Sequence, residues 1–212
     1  MFQIFLDFLF PRRSLTGEEG EWITEEERRL LRPMLVIEER PELRSRGLHF
    51  LDRVVAGSAY RGSPLLKKAI HTFKYGRVPG LATDLAQFIV RAGSYPLSET
   101  PVLCPVPLHW ARRFLRGFNQ AEILARIVAR EKKLPLENLL RRVRPTGFQS
   151  HRDREERFLA VKDAFRAIKV PLPPYVILID DLSTTGATLD MCAKALKEAG
   201  VQRVDGWVVA HG

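Results

Sequence analysis

The chain has 212 residues, 45% of them apolar and 28% charged. That suits one globular domain with at most a small appendage, and it excludes a low-complexity or disordered chain. The formal charge of +9 favours an anionic partner such as nucleic acid, a phosphorylated metabolite or an acidic membrane surface.

The charge is unevenly placed: residues 108–166 carry 15 Lys/Arg against 7 Asp/Glu and so hold +8 of the total. Two cysteines, Cys104 and Cys192, exclude a disulfide framework and a four-cysteine zinc site. Both stand in apolar surroundings and read as buried, reduced thiols of a cytoplasmic protein. No apolar run reaches the roughly 20 residues needed to span a bilayer, so no transmembrane segment is expected. Met1–Phe10 is apolar, but it lacks a basic start and a small-residue cleavage site, and reads as a segment docking on the domain.

In chain order, Pro11 stops the first segment and 12–21 reads as a loop. Thr24 and Glu27 have capping-box spacing at the start of a short charged helix that ends before Pro33. Residues 32–50 show no period and read as an irregular appendage, so that 1–50 is set apart from a main domain at 51–212. Val54–Tyr60 alternates as a strand. Pro64–Lys74 and Leu81–Arg91 have helical apolar spacing, Pro101–Val106 is a short buried strand, and Asn119–Arg130 is a helix. Residues 141–157 are basic and polar and read as an exposed loop; 158–168 is a helix or a strand. Val176–Ile179 is an apolar β-branched run, as in a parallel strand buried on both faces. A helix at Ala187–Ala199, closed by Gly200, and a strand at Val204–Ala210 complete the chain. The alternation predicts an α/β fold: a mainly parallel sheet flanked by helices.

The stretch Val176-Ile-Leu-Ile-Asp180-Asp181-Leu-Ser183-Thr184-Thr185-Gly186-Ala187-Thr188 carries the chemistry. A strand ends in two carboxylates where α/β sheets bind ligands. A loop of hydroxyl residues and one glycine then opens a helix, whose free N–H groups and positive dipole end suit a phosphate. Acids facing that phosphate would repel it, so they are expected to face a neutral diol, with Mg²⁺ nearby. The deduced ligand is a sugar 5′-phosphate. A P-loop is excluded because its lysine is absent, and a dinucleotide site because no glycine-rich fingerprint follows a strand.

This string resembles the phosphoribosyl-diphosphate (PRPP) motif of type I phosphoribosyltransferases. The resemblance implies that Asp180 and Asp181 hold the ribose diol and Mg²⁺, and that Ser183, Thr184, Thr185, Gly186, Ala187 and Thr188 hold the 5′-phosphate. Further segments resemble the ComF/GntX-like branch: Leu9-Phe10-Pro11, Lys74-Tyr75-Gly76 followed by Leu81–Ala86, Pro105-Val106-Pro107-Leu108, Arg116-Gly117-Phe118-Asn119-Gln120, and the spaced Arg142, Thr146, Gln149, Arg157 and Ala164-Phe165. The branch includes a protein of natural competence acting late in the import of single-stranded DNA. The implied partners are therefore PRPP, single-stranded DNA, and competence or DNA-processing proteins. The implied pyrophosphate contacts are Val106, Pro107 and Leu108 with Arg112, Arg113, Arg116 and Lys74.

The sequence departs from that branch in two places. Ser14 stands where the first cysteine of the usual four-cysteine zinc finger belongs, and 12–50 holds no cysteine, so no zinc site is expected there; His49 and His71 do not restore one. Ala160 replaces a frequent Asn. Threonine at 184, where purine-salvage enzymes place an acid, argues against purine salvage.

Two other readings stay open. Arg141, Arg142, Arg144, Phe148 and His151 give the basic-plus-aromatic mix of a single-strand groove, so the chain is alternatively a nucleic-acid-binding or adaptor protein on a catalytically retired transferase fold. Residues 141–157 equally fit the lid that many phosphoribosyltransferases close over PRPP, and the second alternative is a nucleobase-salvage phosphoribosyltransferase. Glu122, Asp153 and His151 are candidate general bases, and the sequence selects none of them.

Overall fold

A computed structural model describes residues 13–75, 78–94, 97, 99–108, 117–143, 163–168 and 171–212. Among these, helix α1 (Glu25–Leu30) is followed by strand β1 (Val36–Glu39), α2 (Arg40–Ser45), β2 (Arg53–Ala59), α3 (Pro64–Tyr75), α4 (Ala82–Ala92) and β3 (Val102–Pro105). Then come α5 (Gln120–Lys132), β4 (Leu140–Arg142), β5 (Phe165–Ala167), β6 (Tyr175–Ser183), α6 (Ala187–Glu198) and β7 (Arg203–His211).

Five strands form one sheet in the order β1-β2-β7-β6-β3. The pairs β2–β7, β7–β6 and β6–β3 are parallel, and only β1 runs antiparallel, at the edge. The carboxyl ends of the four parallel strands therefore share one rim of the sheet.

Period-two alternation sorts the core into two layers. Ile177, Ile179, Trp207 and Val209 pack with Leu85, Ile89, Leu124 and Val128 of α4 and α5. Val176, Leu178, Val204 and Val208 pack with Leu189, Cys192 and Leu196 of α6 and with Leu140 and Phe165. Burial on both faces is why the Val176–Ile179 run lacks the polar alternation of a half-exposed strand. At Gly57 a Cβ would lie 2.5 Å from Phe88, so α4 sits closer to β2 than any other residue there allows. Cys104 and Cys192 are both buried and unpaired with each other.

The capping box is present: Thr24 Oγ1 accepts from Glu27 N, and Glu27 returns the contact to Thr24 N. Two expectations are corrected. The stretch 32–50 is not irregular: it contains β1 and α2, and Leu43 and Leu48 lie in the core. Its order comes from pairing with β2 and from packing, neither of which leaves a period in so short a segment. Arg141 and Arg142 are not in a loop but in β4, paired antiparallel with Arg166 and Phe165 of β5. A strand of three residues is too short for alternation to mark it. Residues 109–116 and 144–162 of the basic segment lie outside the described residues. No described helix is long and apolar enough to cross a membrane.

Candidate functional site

β6 carries its unbroken apolar run as far as Ile179, presents the two acids at the rim of the sheet, and closes with Leu182 and Ser183. Adjacent strand residues point to opposite faces. Asp181 (3% exposed) thus continues the face of Ile177 and Ile179, and half-buried Asp180 the face of Val176 and Leu178. The expectation of two carboxylates side by side is refined accordingly. Both still border one cavity of about 270 Å³ at the rim, because it wraps the end of the strand.

Thr184 and Thr188 border the same cavity, as do Lys74, Val106, Pro107 and Leu108. These residues come from three separate stretches that the sheet brings together. Lys74 Nζ lies 2.8 Å from Asp181 Oδ1, with both side chains largely buried. The Asp180 carboxylate accepts from the N–H of Asp181 at 2.9 Å.

Gly186 is the N-cap of α6 and has φ +82°, a left-handed conformation in which a side chain is strained. Thr185 Oγ1 accepts from Ala187 N at 3.4 Å, so this hydroxyl serves the helix start. Ser183 is buried, and its Oγ has no hydrogen-bond partner. It stands in register with His211 of β7, beneath the hydroxyl loop and not at the cavity wall.

Arg142 borders this cavity and also a neighbouring one of about 310 Å³, which Arg141, Glu122 and Asn138 help to line. Its guanidinium sits 5.2 Å from the centre of the Phe165 ring. Glu122 pairs with Arg126 at 2.7 Å. The remaining sequence candidates, Arg112, Arg113, Arg116, Arg144, Phe148, His151 and Asp153, lie outside the described residues.

Asn119 and Gln120 hold the frame. Asn119 Oδ1 caps α5 by accepting from Ala121 N at 3.2 Å, and its Nδ2 donates to Val106 O at 3.1 Å. Gln120 is buried and its Nε2 donates to Lys74 O at 3.5 Å. The loop after β3 and the end of α3 are thus both tied to the start of α5. Sequence reasoning missed Arg46, Leu48 and Asp190, which brace the hydroxyl loop from behind. An Asp in the first turn of a helix is ordinary, and nothing in the sequence says which backbone N–H groups meet it.

As a chemical surface, the cavity offers two carboxylates, an ammonium paired with one of them, the loop after β3, and hydroxyls at a helix N-terminus. Such a set can hold a polyol that carries a phosphate.

No family model matches the chain. Competence protein F of Haemophilus influenzae is 35% identical over 122 residues, covering 56% of this chain and 53% of that protein. DNA utilization protein YhgH of Salmonella typhi is 30% identical over 169 residues, covering 75% of this chain and 72% of that protein. Competence protein ComFC of Bacillus subtilis is 32% identical over 147 residues, covering 68% of this chain and 58% of that protein. The chain thus spans only about half the length of two of these relatives, yet its match to the Salmonella protein extends over most of both chains, and it belongs to the ComF-like family of competence and DNA-utilization proteins.

Proposed function

We propose that this chain is a phosphoribosyltransferase-like protein that binds PRPP with Mg²⁺ and acts in the uptake or use of DNA. One observation carries the ligand: the acid–acid–hydroxyl string at the rim of β6 shares a cavity with the loop after β3 and with Lys74. A ribose diol on Asp180 and Asp181 would leave its 5′-phosphate toward Thr184–Thr188 and its diphosphate toward Val106–Leu108. Loops that donate N–H groups and hydroxyls to phosphates suit that arrangement. The names of the relatives support the biological setting.

The residues present fit a Mg²⁺ ion that arrives with its ligand. Mg²⁺ takes oxygen donors, keeps waters, and is held by one or two carboxylates plus substrate phosphates. Asp180 and Asp181 supply those carboxylates, and among the described residues no group of three or more metal-ligating side chains forms a cage. Bound there, the ion would neutralise diphosphate charge. Lys74, now on Asp181, would share in that task.

The test is calorimetry with PRPP and Mg²⁺. Binding is expected, with a loss of about tenfold or more, some 1.4 kcal/mol, in Asp180→Asn/Asp181→Asn. No heat of binding, or unchanged affinity in the double variant, overturns the reading.

A second reading, a nucleic-acid-binding protein on a retired transferase fold, is favoured by Arg141 and Arg142 at the neighbouring cavity and by the +8 segment around them. It predicts single-strand affinity that falls steeply with salt, and a slope flattened by neutralising Arg141 and Arg142. A salvage role predicts pyrophosphate release with a small base; silence across a panel of bases counts against it.

A further inference from the structure

The hydroxyl loop is held in shape by a segment far from it in sequence. Arg46 Nη2 donates to Thr184 O at 2.9 Å, fixing the first peptide of the loop. Leu48 packs on Gly186 so closely that a Cβ there would lie 2.6 Å from Leu48 Cδ1. On the far side of the loop, the Asp190 carboxylate accepts three backbone N–H groups: His49 at 3.1 Å, Phe50 at 2.7 Å and Leu51 at 3.0 Å. Asp190 is 1% exposed, so these donors replace water around a buried charge. Both ends of 184–190 are thus clamped to 46–51.

Arg46 is itself oriented. Its Nη1 lies 2.6 Å from Glu38 Oε2 and 2.6 Å from His211 Nε2. The guanidinium is planar and forked, so fixing one end aims the other at Thr184 O. With its carbonyl held by Arg46, Thr184 keeps a fixed place at the wall of the cavity.

We propose that Arg46 and Asp190 are positioning residues of the phosphate-binding loop, preorganising Thr184–Thr188 for the phosphate end of a sugar phosphate. The proposal rests on the ligand reading above, and its test separates the two. Binding to a preformed loop avoids the ordering cost that a loose loop would charge against affinity. Neither residue borders the cavity, so each acts through the loop and not on the ligand.

The test compares the full chain with Arg46→Ala, Arg46→Lys, Asp190→Asn and, as a surface control, Arg28→Ala. Amide hydrogen exchange is followed at 184–190, and calorimetry uses two probes, ribose 5-phosphate and inorganic pyrophosphate with Mg²⁺. Arg46→Ala and Asp190→Asn are expected to speed exchange at 184–190 while the amides of β7 stay protected. They should weaken ribose 5-phosphate about tenfold and pyrophosphate by no more than about twofold. Arg46→Lys should restore part of the loss, since its ammonium can still donate to Thr184 O. Unchanged exchange at 184–190 in both variants overturns the proposal. Equal weakening of both probes also overturns it, because that is a general loss of fold or charge. Should the unsubstituted chain bind neither probe, the ligand reading falls, and the exchange data still decide whether Arg46 and Asp190 position the loop.

Discussion

Lys74 and Asp181 meet across the cleft at 2.8 Å, the ammonium from the last turn of α3 and the carboxylate from the end of β6. Their side chains are only 18% and 5% exposed, so solvent screens this pair far less than a surface ion pair. Breaking it from one side leaves a charge in a poorly hydrated place. A double-mutant cycle with Lys74→Met and Asp181→Asn, read by urea unfolding, is expected to give a coupling of about 1–3 kcal/mol. The coupling should persist at high salt; a value near zero would mean that the pair contributes nothing to the fold.

Gly186 turns the end of β6 into α6 with φ +82° while Leu48 presses on it. Gly186→Ala meets both constraints at once, and should cost about 1–3 kcal/mol of stability for the left-handed backbone alone. Trimming the clash with a second change, Leu48→Ala, should recover only the steric share. Equal unfolding midpoints for the chain and Gly186→Ala would show that the loop adopts another shape.

The legibility of this protein in its sequence follows the range of the forces that build each part. Strand β6 and helix α6 were readable because an apolar β-branched run, two acids and a helix closed by Gly200 are local signals. The acid and hydroxyl residues were readable because their order along the chain is also their order around one end of a strand. β1 and α2 were not, since β1 is held by pairing with β2 and Leu43 by packing in a core built from distant residues. Arg46 and Asp190 were invisible for the same reason: each acts on a stretch about 140 residues away. The facing of Asp180 and Asp181 could have been read from strand alternation carried through to the last residue of β6.

Acid should weaken the fold in two steps. Burial lowers the pKa of His211 from its ordinary 6.5, with Glu38 opposing and Arg46 adding to the effect. Folding therefore favours the neutral ring, and its contribution, full above pH 6.5, is lost as pH falls through the folded value. Burial pushes Glu27 up, but the N–H of Thr24, then the hydroxyl and N–H of Thr16 and the hydroxyl of Ser14, outweigh it and hold the carboxyl below its ordinary 4.5. Its contribution is present above that value and lost as pH falls through the folded one. Urea midpoints measured from pH 8 to pH 3 should decline in both windows. Glu27→Gln should flatten only the lower decline and His211→Phe only the upper; variants that leave both declines intact would place the titration elsewhere.

Asn119 serves two structures through two atoms of one amide. Its Oδ1 caps α5, and its Nδ2 holds Val106 O in the loop that faces the hydroxyls across the cavity. The two roles separate by chemistry. Asn119→Asp keeps an acceptor for Ala121 N and adds a favourable charge at a helix N-terminus, but it cannot donate to Val106 O. It should preserve stability within about 0.5 kcal/mol while weakening pyrophosphate binding, because the loop loses its brace and gains a nearby anion. Asn119→Ala removes both contacts and should cost about 1 kcal/mol of stability as well. Unfolding midpoints and pyrophosphate calorimetry on the two variants check this directly. Should Asn119→Asp bind pyrophosphate as the unsubstituted chain does, the Val106 loop does not depend on Asn119 and its shape is set by β3 and the prolines alone.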